Sequence, residues 1–301
     1  MSAATAASHR YSIKGVAFEA ESLAPGLHVT ATPIGHLADI SLRAVNALAA
    51  ADEILCEDTR VTGKLLHRYG ITTRLVPYHD HNAAKLRPRI LQALAEGKAL
   101  VLVSDAGTPL ISDPGYKLAR AVIAEGLALH VIPGASAPLA ALTLSGLPSD
   151  RFMFCGFLPE KQGERRRLLE TLKTVPSTLI FFESPRRIVA SLSDIADLLG
   201  GRDVAVTREL TKLHEEALRG PAAEIAAVLE ARETIKGEIT LVVAPPGEAP
   251  PPAAEDIDKA LLDASAHLPA GQAAAEIAHR FGLAKRDLYA RLLALKDKTA
   301  Q

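Results

Sequence analysis

"VSDAGTPLISDPG", Val103 to Gly115, carries too many special residues for a plain turn. The apolar run ALVLV before it reads as a buried strand, and YKLARAVIAEG after it has helical periodicity closed by Gly126. Between them lie Ser104, Asp105, Gly107, Thr108, Pro109, Ser112, Asp113 and Pro114. Strand, small-residue loop, then helix is the arrangement at the carboxyl end of a strand in an open α/β sheet, where ligands bind.

The chain to either side keeps this rhythm. LHVTAT (27–32) reads as a strand followed by the loop PIGHLAD, and SLRAVNALAAA as a helix with Asp39 or Ser41 as cap. EILCED, RLVPY and LALHVIPG read as further strands; TRVTGKLLHRYG, closed by Gly70, and the stretch around LRPRILQALAEG read as helices. Such alternation with short links predicts a mainly parallel sheet covered on both faces. A second unit starts near Pro138, with strands RFMFCGF, STLIFFES, DVAVTREL and GEITLVVAP and helices ERRRLLETLK, PRRIVASLSDIADLLG and PAAEIAAVLEA. The proline-rich run APPGEAPPPAAED marks a boundary, and three short helical patterns follow it. The reading is a mobile arm over 1–24, α/β domains over 25–137 and 138–245, a linker over 246–255 and a small helical domain over 256–301.

With 48 % hydrophobic and 23 % charged residues in 301, the chain supports a sizeable core. A net charge of −1 gives no global pull toward nucleic acid, so any such contact rests on local basic patches. Cys56 and Cys155 cannot form a disulfide framework and fit a reducing cytoplasm. No Cys/His cluster has metal-ligand spacing, no apolar run reaches membrane-spanning length, and residues 1–24 lack the apolar core of a signal peptide.

Three loops follow strands at one sheet edge: TPIG (32–35), SDAGTPLISDPG (104–115) and PGASA (133–137). Their small residues admit close approach of a ligand to main chain, and their Asp residues offer acceptors. Taken singly, each loop reads equally as a tight turn with a helix cap. There is no GxxxxGK[ST] and no GxGxxG, and the first loop has no Lys or Arg, which disfavours a polyphosphate.

These loops resemble the tetrapyrrole methylase superfamily. The segments that carry the resemblance are ATPIGHLADISLRA, ADEILCEDTR, YHDHN, VSDAGTPLISDPG, VIPGASA, GFLP, FFESPRRI, RELTKLHEE and KGEITLVV, in order across about residues 27–245. The resemblance implies two α/β domains with S-adenosyl-L-methionine in the cleft between them, and a homodimer. It also implies a cofactor site of Pro33, Asp105, Gly107, Thr108, Ser112, Asp113, Ser136 and Ala137, with adenine near Phe182 or the GEITLVV strand. Where much of the superfamily reads glycine-aspartate-proline, this chain reads Ser104-Asp105-Ala106-Gly107, which points away from the porphyrin branch. The branch it is most similar to methylates the ribose 2′-hydroxyl of a decoding-centre cytidine in 16S rRNA.

A ribose hydroxyl needs its proton drawn off as the methyl arrives, so a general base is sought. Asp58 in CEDTR, the YHDHN residues His79, Asp80 and His81, and Glu183 with Arg186 in FFESPRR are the candidates. Each has a plainer alternative: Arg60 pairing Glu57 at a solvated strand end, a polar loop, and an ion pair at a helix start. For RNA contact the sequence offers Arg60, His81 and Asn82, the run Arg165, Arg166 and Arg167, then Arg187, and in the tail Lys285 and Arg286 on a helix–Gly–helix outline. Basic helix faces are also ordinary solvated faces. Two other readings stand beside RNA methylation: a methyltransferase acting on a small molecule such as a porphyrin precursor, and a non-catalytic RNA-binding factor.

Overall fold

The computed structural model describes residues 9–112, 115–247 and 254–299. The chain divides into one unit up to Pro246 and another from Gly247.

The first unit begins with β1 (Arg10–Ile13), β2 (Val16–Glu19), β3 (Gly26–Thr30), α1 (Leu42–Ala50), β4 (Glu53–Cys56), α2 (Thr59–Arg68) and β5 (Leu75–Pro77). It continues with α3 (Asp80–Ala95), β6 (Ala99–Leu102), α4 (Tyr116–Ala124), β7 (Leu129–Ile132) and α5 (Ala137–Ser145). Then come β8 (Phe152–Phe157), α6 (Gln162–Leu172), β9 (Thr178–Glu183), α7 (Ile188–Leu198), β10 (Asp203–Arg208), β11 (Glu216–Pro221), α8 (Ala222–Glu230) and β12 (Ile239–Val243).

Sheet one has the order β5-β4-β6-β3-β7 with every pair parallel. Successive side chains of a strand face opposite ways, and the core divides accordingly. Ile54, Cys56, Val101 and Val103 pack under α1 and α2, whereas Leu55, Leu100 and Leu102 pack under α3 and α4. β3 lies between β6 and β7, so the three small-residue loops emerge side by side. Sheet two, β11-β10-β12-β9-β8, is mixed: β8 and β9 are parallel and the rest antiparallel. One face, with Phe181, Val206 and Leu241, is covered by α6, α7 and α8. The other, with Ile180, Ala205 and Val242, packs against Ala141 and Leu142 of α5 and against Ile34 and Leu210. Full burial of such side chains contributes about 1.5–3 kcal/mol each. That shared cluster holds the end of β3 against sheet two.

Three expectations need correction. The arm over 1–24 is in part a hairpin: β1 and β2 pair antiparallel from Arg10–Glu19 to Ile13–Val16. Lys14 (φ 50°) and Gly15 (φ 84°) form its two-residue turn, the left-handed pair that matches strand twist. Tyr11 and Ile13 pack onto the α1/α2 core, so the segment has an apolar anchor. β11, an edge strand, was not anticipated. YHDHN is not a polar loop: His79 is the N-cap of α3, and its backbone N–H donates to Asn82 Oδ1 at 3.0 Å.

The second unit contains α9 (Ala254–Ser265), α10 (Ala270–Phe281) and α11 (Lys285–Thr299) around Leu261, Ile277, Leu288 and Leu292. Gly282, at φ 67°, ends α10 in the left-handed region and gives the expected helix–Gly–helix outline. Arg291 Nε donates to Asp258 Oδ1 at 2.5 Å and ties α11 to α9. Most of the expected linker lies outside the described residues, and α9 begins within its last residues.

Candidate cofactor cleft

The loops after β3 and β6 are stitched together. Thr32 N–H donates to Gly107 O (2.9 Å) and Gly107 N–H to Thr32 O (3.1 Å), while Thr32 Oγ1 donates to Ser104 O (3.1 Å). Thr108 Oγ1 reaches Ala135 O at 3.2 Å and so links the loop after β7. Four residues of the central loop are left-handed: Gly107 (φ 82°), Leu110 (72°), Ser112 (66°) and Gly115 (128°). For Leu110 and Ser112 this is strain of about 1–3 kcal/mol each, a feature that clusters at ligand sites.

These loops form one wall of a cleft of about 360 Å³, within the ~300–1,000 Å³ common for small-molecule sites. Ile34, Ala106, Gly107, Thr108, Ile111 and Ser112 line that wall, with Ser136, Ala137 and Pro138 at the start of α5. Phe157, Phe182 to Pro185, Leu210 and Gly237 to Thr240 line the opposite wall. A bulge between Phe154 and Phe157, with Gly156 at φ 70°, breaks the register of β8 just before Phe157 reaches the cleft. Phe182 meets both Phe154 (4.9 Å between ring centres) and Phe157 (5.3 Å). Among the described residues no Lys or Arg lines the cleft, and no group of His, Cys, Asp and Glu could hold a metal ion.

Of the cofactor residues expected from sequence, Gly107, Thr108, Ser112, Ser136, Ala137 and Phe182 line this one cleft. Pro33 is buried behind it, beside Ile34. Asp105 flanks it, next to Ala106; its Oδ1 accepts from Asp58 N–H at 3.1 Å, and burial pushes its carboxyl up. Asp113 lies outside the described residues. The sequence reading pointed to GEITLVV only loosely, and it missed Ile34, Phe157 and Leu210, whose side chains look like plain core in one dimension.

The catalytic candidates fare differently. Glu183 is fully buried and its oxygens are spoken for. Oε1 accepts from Ser184 N–H (2.7 Å) and pairs with Arg187 Nη2 (2.7 Å), and Oε2 accepts from Ser191 Oγ (2.6 Å). With its oxygens engaged by these three donors, Glu183 serves as a brace between β9, Ser184 and α7. Asp58 caps α2, and the hydrogen bonds from Arg60 hold its carboxyl down at about 2, a weak base at neutral pH. Arg60 pairs with Asp58, not Glu57. Arg186 is exposed beside the cleft-lining Pro185.

The RNA candidates are also resorted. Arg165 is buried: its side chain is 4 % exposed, and its Nε donates to Asp194 Oδ2 at 2.7 Å. Arg166 joins the same carboxylate at 2.8 Å and Asp197 at 2.9 Å. Arg187 is bound to Glu183, Ser184 and Leu158 O. Asn82 is consumed in capping α3 and in donating to Pro77 O (3.0 Å). These groups hold the fold. His81, Arg167, Lys285 and Arg286 remain on the surface.

Residues 26–226 match the family described as tetrapyrrole (corrin/porphyrin) methylases, and residues 251–296 match the RsmI C-terminal HTH domain. The chain is 53 % identical over 283 residues to a Mesorhizobium japonicum protein named ribosomal RNA small subunit methyltransferase I, covering 94 % of this chain and 96 % of that one. A protein of the same name from Halalkalibacterium halodurans is 46 % identical over 272 residues, covering 87 % and 93 %. Among solved structures, a cobalt precorrin-4 methyltransferase shares the fold, with a TM-score of 0.56 at 16 % identity over 72 % of this chain and 94 % of that one. The chain therefore belongs to the tetrapyrrole (corrin/porphyrin) methylase family, among the relatives named ribosomal RNA small subunit methyltransferase I.

Proposed function

We propose that the chain is an S-adenosyl-L-methionine-dependent methyltransferase that methylates the ribose 2′-hydroxyl of cytidine 1402 in 16S rRNA. The observation that carries this is the near full-length match to ribosomal RNA small subunit methyltransferase I, joined to a cleft assembled by the same loops.

The cleft fits that cofactor on chemical grounds. Phe182, Leu210 and Ile239 offer an apolar slot for adenine, with the main chain of Gly237 to Thr240 beside it for the ring's polar edge. Gly107, Thr108 and Ser112 offer backbone and hydroxyl groups for the ribose and methionine parts. The first turn of α5, at Ser136 and Ala137, presents amide donors suited to a carboxylate. The absence of Lys and Arg from the described lining favours a cationic ligand. Pro33 supports the floor behind Ile34, and Asp105 supplies polarity at the loop; Asp113, outside the described residues, is proposed from the sequence alone.

The cofactor supplies a methyl group on a sulfonium centre, ready for in-line displacement. What this chain's residues contribute is alignment, which in well-oriented systems is worth about 7–11 kcal/mol. The stitched loops fix one wall, and the Glu183 brace fixes Ser184 and Pro185 on the other. Arg186, exposed beside them, and Arg60, Arg167 and His81 on the surface are proposed RNA contacts. Lys285 and Arg286 of the helical unit are proposed to take part as well. Arg187 and Arg165 act through the fold.

The protein is proposed to work in the cytoplasm, with its RNA inside the small subunit, and as a homodimer. No helix among the described residues is long and apolar enough to cross a membrane. For the dimer, the outer strands of both sheets expose apolar side chains: Val131 on β7 is 60 % exposed, and Phe152 and Met153 on β8 are 45 % exposed. Exposed edges of this kind are usually covered.

Transfer of labelled methyl from S-adenosyl-L-methionine to unmodified small subunits tests the reading. Label in subunit RNA is expected. Label only in a porphyrin precursor supplied in parallel overturns it.

A further inference from the structure

A second hollow lies beside the cofactor cleft. It is lined by the turn Gly35 to Ala38, by Arg68 at the end of α2, and by Thr211 to Leu213. The two sites share walls: Ile34 and Leu210 face the cleft, and the next residues, Gly35 and Thr211, face the hollow. Whatever enters one lies next to whatever enters the other.

The loop 209–215 is held in a costly shape. Glu209 (φ 51°) and Thr211 (φ 63°) are left-handed without being glycine. Clamps keep them there: His36 N–H donates to Thr211 Oγ1 (3.0 Å), Thr211 N–H to Glu215 Oε2 (2.6 Å), and Lys212 Nζ to Glu209 and Glu238 (2.9 Å each). Gly35 lets the loop sit this close, since a Cβ there would fall 2.6 Å from Thr211 Oγ1 and 2.8 Å from Leu210 O. The result is a stiff loop that carries Leu213, 92 % exposed, at the hollow. A lone exposed leucine is ordinary on a mobile loop. Here the strain and the clamps on its neighbours hold the backbone that presents it.

The hollow has a basic rim on α2, while Asp39 and Glu215 stand exposed at the ends of its two loops. After its Asp58 cap, α2 has no acidic residue, and Lys64, His67 and Arg68 are exposed. Lys212 is already committed to two carboxylates, so Arg68, which lines the hollow, and Lys64, one turn back on α2, are the cations offered to a ligand. Many arginines elsewhere in this unit are neutralised, as at Arg74 and Arg89 with Glu53 or Arg208 and Arg232 with Glu216.

An exposed apolar side chain on a clamped backbone, beside cations and one residue away from the cofactor cleft, suits a nucleotide. We propose that this hollow seats the RNA nucleotide adjacent to the methylated one. Its phosphate lies against Arg68 and Lys64, and its base packs on Leu213. This rests on the RNA methyltransferase reading above. Leu213 takes the part that an aromatic platform takes in other RNA-binding proteins, in a chain that has no Trp. Phosphate contacts position a strand, and apolar side chains can hold a base out of its stack.

The test uses the full chain, small subunits lacking the modification, and the variants Arg68→Glu and Leu213→Ser, with Arg120→Glu as control. Arg120 is exposed on α4, across sheet one from α2. Expected for both test variants are an unchanged dissociation constant for S-adenosyl-L-methionine, an unchanged melting temperature and a KM for subunits raised about fivefold or more. Arg68→Glu also flattens the dependence of log KM on log salt by about 0.7 or more, the share of one phosphate, while Leu213→Ser leaves that slope alone. A photoreactive phenylalanine analogue at position 213 is expected to crosslink to 16S rRNA.

A KM within about twofold of wild type for either variant, or an equal rise in the control, overturns the proposal. So does a crosslink to a ribosomal protein instead of RNA. Failure of the wild-type chain to methylate subunits at all strikes the parent reading, whereas normal wild-type activity with unaffected variants strikes only this one.

Discussion

Replacing Glu183 tests how the fold supports the cleft. Its buried carboxylate receives Ser184 N–H, Ser191 Oγ and Arg187 at 2.6–2.7 Å, and Ser184 is itself a cleft residue. Removing one partner of a buried charge pair costs about 3–5 kcal/mol, because the other charge is left without compensation. Arg187 is 21 % exposed and keeps Leu158 O as acceptor, which puts Glu183→Ala near the lower end, at about 3 kcal/mol. At about 2–4 °C per kcal/mol for a chain of this size, the melting temperature falls by about 6–12 °C. Glu183→Gln keeps the volume and one acceptor oxygen, and loses about 1–2 kcal/mol. The assay is thermal unfolding of both variants, of Arg187→Ala and of the double variant, together with calorimetric titration of S-adenosyl-L-methionine. The double variant is expected to lose less than the sum of the singles, and Glu183→Ala to bind the cofactor more weakly. An alanine variant that melts within about 2 °C of wild type, or single effects that simply add, would refute the brace.

Three further outcomes follow from the same geometry. Gly107→Ala must hold a left-handed Cβ at 3.3 Å from Ile34 Cγ2, inside the cleft; it is expected to lose about 1–2 kcal/mol of stability by urea unfolding and to weaken cofactor binding more than Gly163→Ala on α6 does. Hydrogen bonds from Arg232, then from Arg208, hold the Glu216 carboxyl down at about 2; burial works against ionised Asp194, but Arg166, Arg165 and Gln162 outweigh it and keep its carboxyl low. Both folded-state values are depressed, so their stabilisation is complete above the unfolded range near 4 and is lost as pH falls below it, for Glu216 toward about 2; an acid titration of Asp194→Asn should show a shallower loss than wild type. Burial pushes the Cys155 thiol up to about 11 and raises Cys56 as well, so a thiol reagent at neutral pH should label the folded chain far more slowly than the chain in urea.

The cleft was legible because its glycines, prolines and small polar residues interrupt apolar runs at strand ends, where a parallel sheet gathers loops. Gly107, Thr108, Ser136 and Ala137 come from two loops, and the β6-β3-β7 order places those loops around the end of β3. Arg165 was misread because its partner Asp194 is 29 residues away on another helix, and no local pattern separates a buried arginine from a solvated one. The pair Arg186 and Arg187 shows the same problem in two residues: one is exposed beside the cleft, and the other is locked to the carboxylate four residues back at the end of β9. The hairpin at Arg10–Glu19 had a readable signal in Tyr11, Ile13, Val16 and Phe18 around Lys14-Gly15, with alternation on both sides of a two-residue turn. Leu210 carries no chemical signal in the sequence, and Ile34 only that of its loop TPIG; the packing of α5 onto sheet two groups them beside the cleft.

The measurement that bears most directly on the central claim is the chemical identity of the product. Small subunits lacking the modification are incubated with the chain and labelled S-adenosyl-L-methionine, and the RNA is digested to nucleosides and analysed by mass spectrometry. Label is expected in 2′-O-methylcytidine alone, mapped to one position of 16S rRNA. Label on a base, spread over many nucleotides or absent from the RNA would contradict it.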